Sequence, residues 1–388
     1  MNLNKEDPKV VKRLKEEKQS LIQEFRKQYL TQGGEGTGIQ STLSKALTSR
    51  FTTKTFKDGS EYEGEVNVDG TRNGKGIMRF KNGHVYFGDW NNDLFHGKGT
   101  YIFENGERFE GDLLRNKKHG RGTYHYANGN VYTGQWENDE KSGQGALAFF
   151  NGDKYKGGWK LSNFDGYGVY SSFSGEEYTG NFLNNKRSGK GVLNYPNGAS
   201  FDGDWSGDKA HGYGKMIYPN GDVFEGDFAE GAKHGNGKYH FVDGSEYVGQ
   251  WANDEKHGIG IMYYPNSDKY TGEWKFGLRS GKGVYESKTG HVYKGEWKND
   301  VIHGVGLLTY PNGSFYNGEW FEGQKTGVGM FQFNDGEKYE GKWLSDKRNN
   351  KGRYYWKTGE IFYGEFQDDE ILYGDLIKTD GKKLMIDK

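Results

Sequence analysis

The sequence predicts an all-β fold, an elongated single-layer antiparallel β-meander solenoid preceded by one amphipathic α-helix. The first observation is a segment, aromatic-x-Gly-x-aromatic, or with Val66 or Leu113 at its end, that recurs fourteen times from Tyr62, once after 24 residues and then every 23. Glycine holds the third place in all fourteen segments, and nine of the ten tryptophans hold the fifth. Many units close with Asn-Gly or Asp-Gly, which favour hairpin turns. We count repeat positions from the leading aromatic residue, which is position 0.

The first element is a helix from Pro8 to about Leu30. Asp7 can cap this helix, and proline suits the first helical position. Apolar side chains recur at intervals of three or four residues with Lys and Glu between them, so one face of the helix is apolar. Three interpretations are open: this face folds back on the rings of the first repeats, docks on a partner chain, or inserts into a membrane surface. Its docking residues are Val11, Leu14, Leu21, Ile22, Phe25 and Tyr29.

A glycine-rich run, residues 31–38, follows the helix and predicts a flexible linker. A second short apolar segment lies near Leu43 and Leu47. Helix and linker together form an N-terminal region of residues 1–50, and the fourteen repeats occupy residues 51–370.

Each repeat predicts two short strands. Positions 0, +2 and +4 share one face of the first strand because side chains alternate. Glycines at +11 and +13 and large apolar residues at +15 and +17 share a face of the second strand by the same parity. A ring can lie over a cross-strand glycine and cover its backbone. Each repeat therefore has one face of rings and glycines, the aromatic face, and one polar face.

The aromatic face is the predicted protein-binding surface. A single-layer sheet has no second layer to cover this face, so we expect it to be exposed. Large exposed apolar surfaces usually mark interaction sites, and Tyr and Trp are favoured interface anchors. The candidate residues are Tyr132, Trp136, Tyr155, Trp159, Trp205, Tyr247, Trp251, Tyr270, Trp274, Tyr293, Trp297, Tyr316, Trp320, Tyr339 and Trp343.

The last segment, residues 371–388, predicts one more hairpin without the repeat motif. Its final strand is a sheet edge, and an unprotected edge invites pairing with another chain. The hairpin either caps the sheet or forms a homodimer through this edge. The candidate residues of the dimer edge are Leu376, Ile377, Leu384 and Ile386.

The complete repeat pattern is Tyr-x-Gly-x-Trp, a polar spacer, His-Gly-x-Gly and Tyr-Pro-Asn-Gly. It is intact at Tyr293–Trp297, His303–Gly306 and Tyr310–Gly313. Residues 56–366 thereby resemble the MORN (membrane occupation and recognition nexus) family, as a stand-alone array. The resemblance implies an extended single-layer antiparallel sheet. It also implies scaffolding, as in radial spoke heads of cilia, basal and budding structures of parasites, and membrane junctions.

The terminal repeats depart from this pattern. Val66 replaces tryptophan in repeat 1, and Asn350 replaces a glycine in repeat 13. In repeat 14, Tyr373 and Asp375 occupy both glycine positions of the second strand, so the repeat breaks down there. Atypical ends are typical of capping repeats.

The sequence predicts no enzyme, no metal site and no cofactor. Histidine recurs at position +10, but equivalent residues of adjacent repeats lie two strands, or about 10 Å, apart. Ligands of one metal ion converge to about 2 Å from it. There is no cysteine, and no Gly-x-Gly pair opens a phosphate-binding loop. The remainder outside the repeats is too short for an enzyme domain.

The charge balance argues against nucleic acid as a partner, which leaves proteins as the main partners and membrane lipid as a weaker one. Basic and acidic residues number 53 and 54, so the chain offers no general field for nucleic acid. We expect a structural scaffold of the cytoplasm and cytoskeleton that binds proteins of a ciliary or flagellar axoneme, similar to radial-spoke-head MORN proteins. The alternative is a phospholipid-binding tether at membrane junctions or in a parasite cortical or basal cytoskeleton.

Overall fold

The computed structural model describes residues 8–30 and 49–387, with helix side chains from Glu16 onward. The predicted helix is confirmed, because α1 spans Pro8–Phe25 and a π-helical turn, Arg26–Leu30, extends it. The predicted linker and the apolar segment at Leu43 and Leu47 lie outside the described residues.

The chain divides into two compact units, Met1–Pro196 and Asn197–Lys388. In the first unit, α1 precedes a single-layer sheet in which each strand pairs antiparallel with the next. Its strands are β1 (Ser49–Thr55), β2 (Glu61–Asn67), β3 (Arg72–Arg79), β4 (Val85–Asn91), β5 (Leu94–Ile102), β6 (Arg108–Leu114), β7 (Lys117–His125), β8 (Val131–Glu137), β9 (Glu140–Ala148), β10 (Lys154–Lys160), β11 (Asn163–Ser171), β12 (Glu177–Leu183) and β13 (Lys186–Asn194).

The second unit is a meander of the same kind, again one layer with consecutive strands paired antiparallel. Its strands are β14 (Ser200–Ser206), β15 (Lys209–Ile217), β16 (Val223–Ala229), β17 (Ala232–His240), β18 (Glu246–Ala252), β19 (Glu255–Tyr263), β20 (Lys269–Lys275), β21 (Leu278–Glu286), β22 (Val292–Lys298), β23 (Val301–Thr309), β24 (Phe315–Phe321), β25 (Gln324–Gln332), β26 (Lys338–Leu344), β27 (Lys347–Tyr355), β28 (Ile361–Gln367), β29 (Glu370–Ile377) and β30 (Lys383–Asp387).

Fourteen hairpins, from β2–β3 to β28–β29, correspond to the fourteen predicted repeats. In β18–β19, Tyr247 at position 0 faces Met262, and Gly249 faces Gly260. Beyond this glycine pair the register shifts, because the second strand contains extra residues there. A shift at the same place recurs in the first thirteen hairpins, and in the fourteenth it lies one residue later, between Glu365 and Phe366. Such β-bulges bend a strand and increase its twist.

Two kinds of turn alternate along the meander. The Asn-Gly or Asp-Gly signal joins consecutive repeats through a longer loop, as at Phe241–Ser245, where the Gly244 N–H donates to the Phe241 carbonyl at 3.0 Å. The tight two-residue turn lies inside the repeat, at positions +6 and +7, which the sequence marks only as a polar spacer. Both of its residues have positive φ, 50° at Asn253 and 70° at Asp254. That conformation matches the twist of the flanking strands.

Both ends of the repeat array differ from the sequence prediction. The strand β1 adds half a hairpin before repeat 1 and was missed, although Asp58-Gly59 is a turn signal of the recurring kind. Repeat 14 does not break down. Its second strand is one residue shorter, so Gly374 faces Gly364 and restores the glycine pair that Tyr373 and Asp375 seemed to interrupt.

Candidate protein-binding surface

The rings at positions 0 and +4 of the aromatic face are buried within the chain, so the prediction that they are exposed is wrong. None of the fifteen candidate side chains is more than 7% exposed. The exposed fractions are 0% for Tyr132, Tyr247, Tyr270, Tyr316 and Tyr339, 1% for Tyr155, 2% for Tyr293, 4% for Trp159 and Trp274, 5% for Trp136 and Trp320, 6% for Trp205, Trp251 and Trp297, and 7% for Trp343.

Contacts between neighbouring repeats bury these rings. Tyr247 meets Trp251 of its own strand edge-on, with ring centroids 5.2 Å apart, and meets Trp274 of the next repeat at 5.3 Å. The same two contacts recur at Tyr270, Tyr293 and Tyr316. Edge-to-face packing is the favoured arrangement of aromatic rings. Because each tyrosine contacts two tryptophans, the rings form a continuous row and cover one another without a second layer.

The tyrosine rings also lie over paired glycines, as the sequence predicts. A Cβ built on Gly249 would lie 2.5 Å from the Gly260 Cα, and one built on Gly260 would lie 2.3 Å from the Tyr247 hydroxyl. That hydroxyl donates to the Gln250 carbonyl at 2.9 Å. The glycine pair is therefore required for close approach of the two strands and the ring.

Cations at position +9 complete the ring row, and sequence reasoning missed them. The Lys256 Nζ lies 4.2 Å from the Trp274 ring centroid, and the Arg279 guanidinium lies 4.3 Å from that of Trp297. Burial lowers the pKa of Lys256. A carboxylate of the following turn holds the cationic residue, because the backbone N–H of Arg279 donates to the Asp300 Oδ1 at 2.9 Å. The recurrence of Lys or Arg at +9 in most repeats was the available signal.

The recurring histidines lie apart from one another. His303 packs on Phe321 of the next repeat with ring centroids 5.3 Å apart, and His257 lies 6.3 Å from Phe276 in the same way. Among the residues that the structure describes, no three His, Asp or Glu side chains converge in a way that could hold a metal ion.

Helix α1 packs on the face opposite the aromatic face, which we call the outer face. The buried residues Ile22 and Phe25 form one apolar cluster with Ile77, Val85, Phe87 and Ile102. The Phe25 and Phe87 rings lie 5.1 Å apart. Ile77 and Phe87 face each other across β3 and β4, next to the pair Met78 and Tyr86 that belongs to the aromatic face.

Polar contacts fix the helix in place. The Arg26 Nε donates to the Glu63 carboxylate at 3.0 Å, and the Lys18 Nζ donates to the Gly83 carbonyl. Burial lowers the pKa of Lys18. The Lys75 Nζ lies 4.9 Å from the ring centroid of Tyr29, which is 43% exposed.

Docking of the helix on a partner chain stays a prediction, and these contacts show which helix residues the chain's own sheet occupies. Leu21, Ile22 and Phe25 are used against the chain's own sheet, and they use its outer face instead of the rings. The side chains of Val11 and Leu14 lie outside the described residues. Within residues 8–30, no helix has the combination of length and apolarity that a membrane span requires.

The predicted C-terminal hairpin forms from β29 and β30. Leu384 faces Leu376, and Ile386 faces Gly374, so these three apolar side chains lie on the aromatic side beside Phe362. Ile377 faces Lys383 on the outer side. This placement suits a cap over the last ring, and pairing of this edge with a second copy stays a prediction.

A second apolar surface lies on the outer face of the second unit. Strands β19, β23 and β25 each place two apolar side chains there, at positions +12 and +14. Those at +12 are the most exposed, 58% for Ile259, 56% for Val305 and 59% for Val328. We call the six residues the outer stripe: Ile259, Ile261, Val305, Leu307, Val328 and Met330. The sequence pattern predicts a polar face at these positions.

Three glutamates beside the outer stripe accept backbone hydrogen bonds or face the sheet without forming an ion pair. At position +3, Asp89 pairs with Lys75 at 2.6 Å in the first unit. In the second unit, Glu273 faces Ile259 and Glu319 faces Val305, so neither has a cation opposite. Within residues 197–387, Glu273, Glu296 and Glu319 form no ion pair.

Comparison with known proteins bears on the family. Thirteen consecutive segments match the MORN repeat, from residues 62–85 to residues 339–361, and they cover about three quarters of the chain. The fourteenth repeat, with its shortened strand, is not among them. No curated protein matches the chain.

Similar solved structures include domains of SAS-4 and CPAP and a lyase. The TCP domain of SAS-4 (dCPAP) from Drosophila melanogaster, in complex with a proline-rich motif of Ana2, is 18% identical over 40% of this chain and 85% of that chain, with a TM-score of 0.26. The TCP10 domain of Danio rerio CPAP, in complex with a STIL peptide, is 11% identical over 87% and 100%, with a TM-score of 0.13. A virginiamycin B lyase from Staphylococcus aureus is 12% identical over 72% and 88%, with a TM-score of 0.13.

Values this low support no conclusion about this chain. The repeat matches do, because they extend over most of the sequence and coincide with the hairpins from β2–β3 to β26–β27. MORN arrays are structural and binding modules. The chain belongs to the MORN-repeat family.

Proposed function

We propose that this protein is a non-enzymatic structural scaffold that binds partner proteins through the outer face of its repeats. The observation that carries the proposal is the difference in burial between the two faces. The rings at positions 0 and +4 of the aromatic face contact one another and are almost fully buried, whereas Ile259, Val305 and Val328 on the outer face are more than half exposed. Exposed apolar surface of this kind is typical of interaction sites.

The first repeats support the same conclusion. Their outer face is covered by α1, which buries Ile77 and Phe87 there. The outer face of a repeat can therefore carry an apolar contact without disturbing the ring row behind it. A partner protein on another part of this face is the arrangement that we propose.

Cross-linking mass spectrometry on the native assembly tests the scaffold. We expect cross-links from outer-face lysines, such as Lys282 and Lys294, to other proteins. Co-sedimentation with phospholipid vesicles is the comparison, because the alternative function is lipid binding. Vesicle binding at physiological ionic strength, together with an absence of links to any other protein, would contradict the proposal.

The assembly that we propose is cytoskeletal, and specifically a ciliary or flagellar axoneme. Support for this choice is the resemblance of the array to MORN proteins of radial spoke heads. A tagged chain expressed in ciliated cells is expected to stay with axonemes after detergent extraction. Complete release by detergent would place the protein elsewhere.

A further inference from the structure

We propose that the outer stripe binds an amphipathic helix of a partner protein, with basic residues along one edge of that helix. This inference rests on the proposed scaffold function and names the partner's binding element. Three observations carry it: the chain's own α1, the dimensions of the stripe, and the distribution of charge around it.

Helix α1 provides the precedent within the same chain. It lies on the outer face, and its Ile22 and Phe25 pack on Ile77, the counterpart in β3 of Ile261, Leu307 and Met330 in the stripe. The strands under α1 and the strands of the outer stripe have the same kind of backbone, since all are strands of repeat hairpins. A helix is therefore an element that this surface accommodates.

The stripe has the length of a helix. Six strand spacings separate β19 from β25, and at about 4.8 Å each they span about 29 Å. A helix rises about 1.5 Å per residue, so about 19 residues lie over this distance. Helix α1 has 18 residues. Apolar side chains at every third or fourth position would meet the pairs in β19, β23 and β25 in turn.

Charge is distributed unequally along the two sides of the stripe. From β19 to β25, the row that contains Ile259, Val305 and Val328 also holds three carboxylates, Glu273, Glu296 and Glu319, and one cation, Lys282. A second cation, Lys342 of β26, faces Val328 at the end of the stripe. The parallel row through Ile261, Leu307 and Met330 holds a single charged residue, Lys294. A helix that lies over both rows meets mainly carboxylates along one edge. Basic residues along that edge would pair with them.

The test uses two fluorescent 19-residue peptides and the full chain. Both peptides carry the same apolar ridge, and one has lysines along one edge where the other has glutamates. We expect the lysine peptide to bind about 10-fold more tightly at low salt, with the preference falling as salt rises. Equal affinity of the two peptides would overturn the proposal.

Variants locate the binding. Glu273→Gln, Glu296→Gln and Glu319→Gln together are expected to remove the preference for lysine. The fold tolerates glutamine at this position, because the Gln250 Oε1 accepts the Ile259 N–H at 2.9 Å just as the Glu319 Oε1 accepts the Val328 N–H at 3.1 Å. A preference that survives in the triple variant would overturn the proposal.

A second variant tests the apolar contact. Val305→Asp is expected to lower the affinity at least about 10-fold, because it places a charge under the apolar ridge. The matched control is Asn236→Asp, at the same position +12 of repeat 8, which is expected to leave the affinity unchanged. Equal losses of affinity in both variants would contradict binding at the stripe. So would a chain that binds anionic vesicles instead of the peptides, if Val305→Asp abolishes that vesicle binding.

Failure of this inference is distinguishable from failure of the scaffold function. If neither peptide binds but the native assembly still gives cross-links to other proteins, the helix proposal is wrong and the scaffold stands. If the assembly gives no such cross-links, the proposed function is wrong.

Discussion

At the scale of single residues, the repeat depends on two glycines that have no side chain. Gly249 and Gly260 face each other across a hairpin, and the Tyr247 ring occupies the space that their side chains would need. The hydroxyl of that tyrosine then reaches the Gln250 carbonyl. A methyl group on either glycine would have to displace backbone or ring.

Gly249→Ala should therefore destabilise the second unit by about 2–3 kcal/mol, the cost of overpacking a well-packed site. The measurement is urea unfolding followed by near-ultraviolet circular dichroism. Gly244→Ala is the control, since nothing lies within 4 Å of its Cβ and its φ of +88° is the sole penalty. We expect about 1–2 kcal/mol there. A loss at Gly249 no greater than at Gly244 would contradict the packing argument.

A second residue-scale prediction concerns the carboxylate that holds the cation at position +9. Asp300→Ala removes the acceptor of the Arg279 N–H and should cost about 1–2 kcal/mol, because a donor is left unpaired. Asp300→Asn should cost much less. Asparagine fills this role elsewhere, where the Asn116 Oδ1 accepts the Phe95 N–H at 2.7 Å. Thermal unfolding of the two variants would compare them, and equal losses would count against the hydrogen bond.

At the scale of elements, α1 is held by few residues. Ile22 is 3% exposed and packs on Ile77 and Phe87, whereas the adjacent Gln23 is exposed. Ile22→Asp buries an unpaired charge and should detach the helix, at a cost of about 3 kcal/mol or more. Hydrogen exchange is the measurement, and faster exchange is expected in α1 and in β3–β5.

Gln23→Asp is the matched control for this change, because it adds the same charge one residue away on the exposed side. Its exchange should remain that of the unaltered chain. Protection of α1 that persists in the Ile22→Asp variant would show that other contacts hold the helix.

The elements themselves were predictable, and their packing was less so. The 23-residue spacing specifies all fourteen hairpins, since alternation alone assigns Tyr247, Gly249 and Trp251 to one face. The positions of the tight turns could not be predicted, because they depend on backbone φ values that the sequence does not reveal. Asn253 and Asp254 accept such values, but so do glycines at the turn between repeats.

The burial of the aromatic face could not be predicted from one repeat. It results from contacts such as Tyr247 with Trp274, which belong to different repeats and depend on the bend at each β-bulge. Once the rings are covered in this way, the apolar face of α1 has no place on them. The helix therefore packs on the outer face, where Phe87 occupies a position that is polar in most repeats.

At the scale of the whole molecule, the ring row should make stability sensitive to alkaline pH. Burial raises the pKa of nine of its tyrosines: Tyr62, Tyr86, Tyr132, Tyr155, Tyr247, Tyr270, Tyr293, Tyr316 and Tyr339. Tyrosine in an unfolded chain ionises near pH 10. Above that pH the unfolded state binds fewer protons than the folded state, so the free energy of unfolding falls as pH rises.

Each core tyrosine that stays protonated in the fold should cost about 1.4 kcal/mol of stability by pH 11. Urea unfolding at pH 8, 10 and 11 measures the sum. A variant with Tyr247→Phe and Tyr270→Phe should lose less, and phenylalanine is tolerated because Phe224 is fully buried at the same position. Stability that stays constant to pH 11, or an equal fall in both proteins, would contradict this account.

The residue type at position +12 varies between repeats, whereas the glycine pair next to it does not. Asn236 and Ile259 occupy it in neighbouring hairpins of the same register, one polar and one apolar, and the glycine pair beside each is unchanged. Folding thus places little selection on this residue. Single codon changes at this position could therefore alter which molecules the array binds during evolution, while the fold stays the same.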